Sequence, residues 1–197
     1  MRYAVKGVVV WVMHLLTWPF SLTSLFMYKV FSSEGAFAFS AQLLSLVPGK
    51  PGQYLRASFY CVTLEQCKYD LMVGFCSYFS HPTARVGRGV GTGSFTVVGT
   101  ATIDDSVLIS SRVSILSGKF QHGQGISQNE QNKGAVTDRV NYTRVHIGAR
   151  SWIGEGAIVM ASIGADTIVS AGSVVTKDMP DNMTAIGNPA RFLNREI

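Results

Sequence analysis

Charge is scarce in this chain. Asp, Glu, Lys and Arg make up 15% of its 197 residues, against roughly 25% in an average soluble protein. With 47% apolar residues the chain can bury a core, which argues against disorder. Cysteine is scarce too: Cys61, Cys67 and Cys76 are an odd number without a Cys-x-x-Cys pair. That speaks against a disulfide framework or a zinc knuckle and for a reducing compartment. Seventeen basic and 12 acidic side chains leave a net charge of +5, but the cations are not gathered into a stripe that could follow a nucleic-acid backbone. No nucleic-acid partner is expected. From about residue 57 onward a long 3.6-residue hydrophobic period is also missing, which argues against a helical domain there.

What is present first is an uncharged run from Gly7 to Tyr28, between Lys6 and Lys29. Its length suits a membrane span, and from Gly7 to Leu16 only His14 interrupts the apolar residues. Pro19 removes a helix hydrogen bond, so two short helices are expected rather than one rod. Trp11, Trp18 and Tyr28 are the aromatics that settle at headgroup level. Arg2, Lys6, Lys29, Lys50 and Arg56 face one acid, Glu34, within the first 60 residues, a bias that suits an anionic cytoplasmic leaflet. A secretory signal peptide and a helix packed on the domain or on a sister subunit compete with this reading. The favoured expectation is membrane contact without a full crossing, by a hydrophobic helical segment 1–56, the rest of the protein being cytoplasmic and peripheral to the membrane.

Residues 57–197 are short-stepped and rich in Gly, Val, Ile, Ser and Thr. Val86, Thr92, Val98, Ile103, Ile109 and Ile115 follow one another at steps of 6, 6, 5, 6 and 6, and Ile147, Ile153, Val159, Ile163, Val169 and Val175 at 6, 6, 4, 6 and 6. A strand repeats every two residues and a helix every 3.6, so neither accounts for six. A triangular coil does: each flat is a very short strand, each corner a turn, and the branched aliphatics stack inside. Gly87, Gly99, Gly148, Gly154 and Gly164 follow inward residues directly, and small residues there are expected to ease the corner turn.

The segments FSHPTARVGRGV, VHIGARSWIGEGAIV and ADTIVSAGSVVTKDMPDNMTAIGNPAR resemble the hexapeptide-repeat acyltransferases, and most closely O-acetyltransferases of the galactoside, maltose and exopolysaccharide type. The likeness covers roughly residues 57–192. It implies an all-β solenoid, a left-handed parallel β-helix, assembled as a homotrimer with active sites between subunits and using acetyl-CoA as donor. The hexapeptide period is broken once, from about 117 to 145, by a long polar loop that holds His122. A loop of that length in a compact repeat domain is functional or disordered. Relatives carry a catalytic histidine on a loop at a comparable place, which makes His122 the candidate general base, although Phe120 stands where many relatives have another histidine. Imidazole suits proton removal near neutral pH.

The resemblance places the donor along the C-terminal coils and a tail of about 176–197. Ala171, Thr176 and Lys177 match positions that meet acetyl-CoA, Arg191 in GNPAR is a phosphate partner with Arg195 as a second charge, and Trp152 packs beside the pantetheine arm. Glu155 departs from the small polar residue expected after WIG. His81 either makes a structural hydrogen bond to the backbone or is an acceptor-site histidine, His146 should point outward, and the three cysteines read as packing residues rather than nucleophiles. A zinc site of the γ-carbonic-anhydrase kind needs three imidazoles that His81, His122 and His146 are not placed to provide, so no metal is expected. The reading is an O-acetyltransferase acting on a saccharide acceptor for surface polysaccharide at the inner-membrane surface. An N-acetyltransferase on an amino- or nucleotide-sugar and a non-catalytic membrane assembly partner are the alternatives.

Overall fold

The computed structural model describes residues 2–118 and 142–194. Three helices open the chain: α1 (Arg2–Phe31), α2 (Gly35–Ser45) and α3 (Gly49–Thr63). Helix α1 continues through Pro19, where a break was expected. The proline forfeits one backbone hydrogen bond, about 3 kcal/mol, but α1 packs along both α2 and α3, and that packing outlasts the local loss. The packed side of α1 carries Thr17, Ser21 and Ser24, all buried, whereas Trp11, Leu15, Leu16, Trp18, Leu22 and Phe26 face outward. Small hydroxyl residues let the helices approach closely, and Thr17 and Ser24 satisfy theirs on backbone carbonyls of the same helix. Among the described residues no helix is long and apolar enough to cross a membrane.

Helix α3 runs past residue 57, where the sequence changes character, and the first ladder partner of the coil is Gln66. From there the chain passes repeatedly over three faces. Face A stacks Arg85–Val86, Ala101–Ile103 and Val145–Ile147; face B stacks Gly91–Thr92, Leu108–Ile109, Trp152–Ile153, Ile168–Val169 and Met183–Ile186. Face C stacks Tyr78–Phe79, Val97–Val98, Ser114–Ile115, Ile158–Val159 and Val174–Val175. These pairings are parallel and join each residue to one about 16–19 positions on, except across the interrupted stretch. All twelve residues of the six-step series are buried, so the hexapeptide period is the inward column of the coil.

The glycines that follow this column have a different task from the one expected. A Cβ at Gly154 would lie 2.6 Å from the backbone nitrogen of Ala171, one coil on. Their role is close coil-to-coil approach. Positive φ falls elsewhere on the corners, at Gly89, Gly156 and Gly172 and at Ser106, Arg112, Arg150 and Asp166.

Both open ends of the prism are covered. Phe37 and Phe59 stack with ring centroids 5.6 Å apart, and Tyr60 meets Phe79 of the first coil edge-on at 4.9 Å. The backbone N–H of Phe79 donates to the Tyr60 hydroxyl at 3.2 Å. Helices α2 and α3 thus plug one end, as a solenoid requires. At the other, Arg191–Asn194 turns back antiparallel to Met183–Ile186.

Candidate active site

The corner between faces C and A gathers more of the chemistry than any other. At successive levels it holds Ser80–Ala84 with His81, then Thr100, then the two roots of the long loop, then Ser162, and last Thr176 and Lys177. His81 and Lys177 lie four coil steps apart, roughly 19 Å at the spacing of paired strands. Hydroxyls lace the edge together. Thr83 and Thr100 meet at 3.3 Å, Thr100 N–H donates to Ser117 Oγ at 2.8 Å, and His146 N–H donates to Ser162 Oγ at 3.2 Å.

The loop roots are pinned. Thr143 N–H donates to the carbonyl of Ser117 at 2.9 Å. Gly118, with φ +86°, has the Thr143 Cβ only 2.7 Å from where its own Cβ would stand. A side chain at 118 would pry the roots apart. Arg144 donates to a Glu65 carboxylate oxygen at 2.7 Å and to the carbonyl of Thr83 at 3.0 Å. Arg85 holds the other Glu65 oxygen. Hydrogen bonds from Arg85, and then Arg144, keep the Glu65 carboxyl below the usual range. His122 and Arg195 lie outside the described residues.

Nδ1 of His81 is 2.6 Å from Glu34 Oε2, and its ring lies against Tyr142 with centroids 4.3 Å apart. The side chain is 13% exposed. Its partner is therefore a carboxylate from the α1–α2 junction, not a backbone group. The sequence offered one signal for Glu34, its standing as the sole acid among the first 60 residues. Tyr142 and the Arg144 clasp carried none. His146 points outward and meets Asp104 at 2.9 Å. His14 bonds Tyr69 across the α1–coil seam.

The cysteine sulfurs of 61 and 67 sit 3.6 Å apart, and this contact, with burial, pushes the Cys67 thiol up. A thiol held protonated is a poor nucleophile. Among the described residues no group of three metal-ligating side chains converges.

The donor candidates divide between two corners. Thr176 and Lys177 are on the C–A corner. Trp152 stands outward on face B, its Nε1 donating to Ser110 Oγ at 3.2 Å. Ala171 is on the adjacent B–C corner, and Arg191 is on the hairpin that ends face B. Ala171 and Thr176 are separated by a whole flat, roughly 16 Å of extended chain. One chain does not bring all five together. Among the described residues Lys177 and Arg191 are exposed and take part in no ion pair, unlike Arg85, Arg112, Arg144 and Arg150. Glu155, the departure noted in the sequence, pairs with Arg112 one coil earlier at 3.6 Å.

No family model matches the chain. It is 35% identical over 101 residues to galactoside O-acetyltransferase of Escherichia coli (strain K12), covering 50% of this chain and 45% of that protein. It is 31% identical over 119 residues to serine acetyltransferase 4 of Arabidopsis thaliana, covering 57% and 28%. The chain thus spans less than half the length of these curated relatives. Among solved structures, a maltose O-acetyltransferase from Clostridium difficile 630 superposes with a TM-score of 0.67 at 22% identity, over 80% of this chain and 83% of that one. A galactoside acetyltransferase in complex with coenzyme A gives 0.60 at 22%, over 81% and 80%. At such identity the structural likeness is one of fold. The chain is thus similar in sequence, over about half its length, to galactoside and serine acetyltransferases, and in fold to solved O-acetyltransferases.

Proposed function

We propose that the chain transfers acetyl from acetyl-CoA to a saccharide hydroxyl, as a homotrimer of left-handed coils whose sites form between copies. The observation that carries this is the division of the donor candidates: Trp152, Ala171 and Arg191 on one side of face C, Thr176 and Lys177 on the other. A site between copies is where the two sides of that face can be completed by a neighbour's edge. Lys177 and Arg191, exposed and in no ion pair among the described residues, fit the phosphates of acetyl-CoA, and small Ala171 leaves room for a narrow arm along the coil. When bound, that donor supplies an acetyl group already activated as a thioester. His122, on the loop whose roots Ser117, Thr143 and Arg144 fix on the C–A edge, takes the proton from the attacking hydroxyl. His81 contacts the acceptor from the same edge.

The outward apolar side of the helical layer, with Lys29 at the end of α1, fits the surface of an anionic bilayer. The coil is then held at the membrane face, where a saccharide destined for the cell surface is assembled. Incubating the purified full chain with labelled acetyl-CoA and an acceptor panel of maltose, an alkyl galactoside, glucosamine and serine tests the reading. Label in an O-acetyl sugar is the expected outcome. Label only in an amide supports the N-acetyl alternative, only in serine it displaces the saccharide, and in none of them it leaves the assembly-partner alternative.

A further inference from the structure

We infer that Glu34 is a positioning residue for His81, so that the helical layer supplies part of the acceptor site. The inference rests on the acetyltransferase reading above and assigns the acceptor's contact within it. The link is a single 2.6 Å hydrogen bond between Nδ1 of His81 and Oε2 of Glu34. A carboxylate only accepts, so the imidazole nitrogen facing it carries the proton. In the neutral ring Nε2 is then left with its lone pair, as an acceptor and not a donor. The Tyr142 ring, its centroid 4.3 Å from that of His81 and tilted by 55°, limits the imidazole's rotation.

Two further features give this pair a purpose beyond packing. Among the first 60 residues, where five cations stand, Glu34 is the sole acid, and it stands where α1 hands over to α2. His81 shares its coil corner with Gly118 and Tyr142, the described ends on either side of residues 119–141. A group with a fixed lone pair at this place suits a saccharide, whose hydroxyls donate. A sugar hydroxyl donates to Nε2, which orients the ring of the acceptor.

The proton position is measured on the full chain in detergent, by long-range 1H–15N correlation of the histidine rings at pH 8.5, His81 being assigned from the His81→Gln spectrum. The expected spectrum has the proton on Nδ1 and bare Nε2; in Glu34→Ala the balance moves toward Nε2–H. A wild-type ring with its proton on Nε2 overturns the inference, whether or not any variant folds. Kinetics with maltose and an alkyl galactoside supply the second readout. Glu34→Ala raises the acceptor KM tenfold or more, leaves the acetyl-CoA KM within twofold, and is partly rescued by Glu34→Asp. An unchanged acceptor KM, or an equal rise in both, overturns it. Failure of the full chain to bind acetyl-CoA in calorimetry instead sinks the acetyltransferase reading, and the proton position is still read.

Discussion

Arg56 donates from Nη1 to the carbonyl oxygen of Val47 at 2.7 Å, just beyond the end of α2. The same nitrogen reaches the carbonyls of Leu44 and Ser45, and Nε reaches Val73 of the first coil at 3.0 Å. The guanidinium is fully buried, and among the described residues it has no carboxylate partner. Burial lowers its pKa, yet it stays charged and caps the negative end of α2. One side chain therefore ties α2, α3 and the coil together.

Replacing it should be costly. Arg56→Met leaves the carbonyls of Val47 and Val73 without this donor in a buried place, and a loss of at least about 3 kcal/mol is expected from urea denaturation. Gly52→Ala should act on the same joint, because its Cβ would stand 2.7 Å from the Val47 carbonyl carbon and 2.8 Å from Arg56 Nη1. An unchanged denaturation midpoint for either variant contradicts this account of the joint.

Trp152 and Ile153 are neighbours with opposite duties. Ile153 is fully buried in the coil, whereas Trp152 is 49% exposed on face B. Ile153→Ala should cost about 2–5 kcal/mol. Trp152→Ala should change stability by roughly 0.5 kcal/mol while weakening acetyl-CoA binding in calorimetry. If Trp152→Ala binds acetyl-CoA as the wild type does, the tryptophan belongs to the packing and not to the donor site.

The coil is legible in the sequence because each coil repeats one physical demand, a β-branched residue at about every sixth position, so twelve positions vote for the same geometry. The helical cap is less so. By a local rule Pro19 breaks a helix, but the tertiary packing of α1 on α2 and α3 overrides it. The membrane-like look of Gly7–Tyr28 conceals that Thr17, Ser21 and Ser24 face inward. Glu34 and His81 are 47 positions apart, and nothing periodic relates them. Such a contact comes from how a cap sits on a solenoid, which a single sequence does not spell out.

The outward face of the helical layer gives a direct test of membrane contact. Trp11→Ser/Trp18→Ser removes two exposed aromatics and no buried contact of α1. At about 1.5–3 kcal/mol for each large side chain buried in lipid, partitioning into vesicles of anionic phospholipid should fall by about 100-fold or more. Cosedimentation reads this directly. Should the double variant bind vesicles as before, that face does not meet lipid.

Donor and base should separate in kinetics. Lys177→Ala and Arg191→Ala each should weaken acetyl-CoA binding by about 1.5–3 kcal/mol, the scale of a charge-assisted bond, with little change in kcat at saturating donor. His122→Ala should lower kcat by roughly 10²–10⁴-fold and leave acetyl-CoA affinity as it is. A His122→Ala variant with near-normal turnover moves the base elsewhere, and His81 is the first place to look.

The Glu65 clasp should be visible in acid. Its carboxyl, held low by Arg85 and then by Arg144, binds its proton less readily folded than unfolded. Such a group contributes stability above the unfolded value, about 4.3 for Glu, and loses that contribution as pH falls through the lower folded value. The clasp is solvent-exposed, and such pairs contribute about 0–1 kcal/mol, so the melting temperature of Glu65→Gln should lie only a few degrees below that of the wild type at pH 7. Added salt should narrow the gap by screening. As pH falls below the unfolded value the two curves should draw together, and they should meet once the lower folded value has been passed, since the wild-type carboxyl is then neutral as in the variant. A gap that does not narrow as pH falls from about 5 to about 3 would show that Glu65 acts through packing, and the Arg144 root would then owe its place to the Thr83 carbonyl alone.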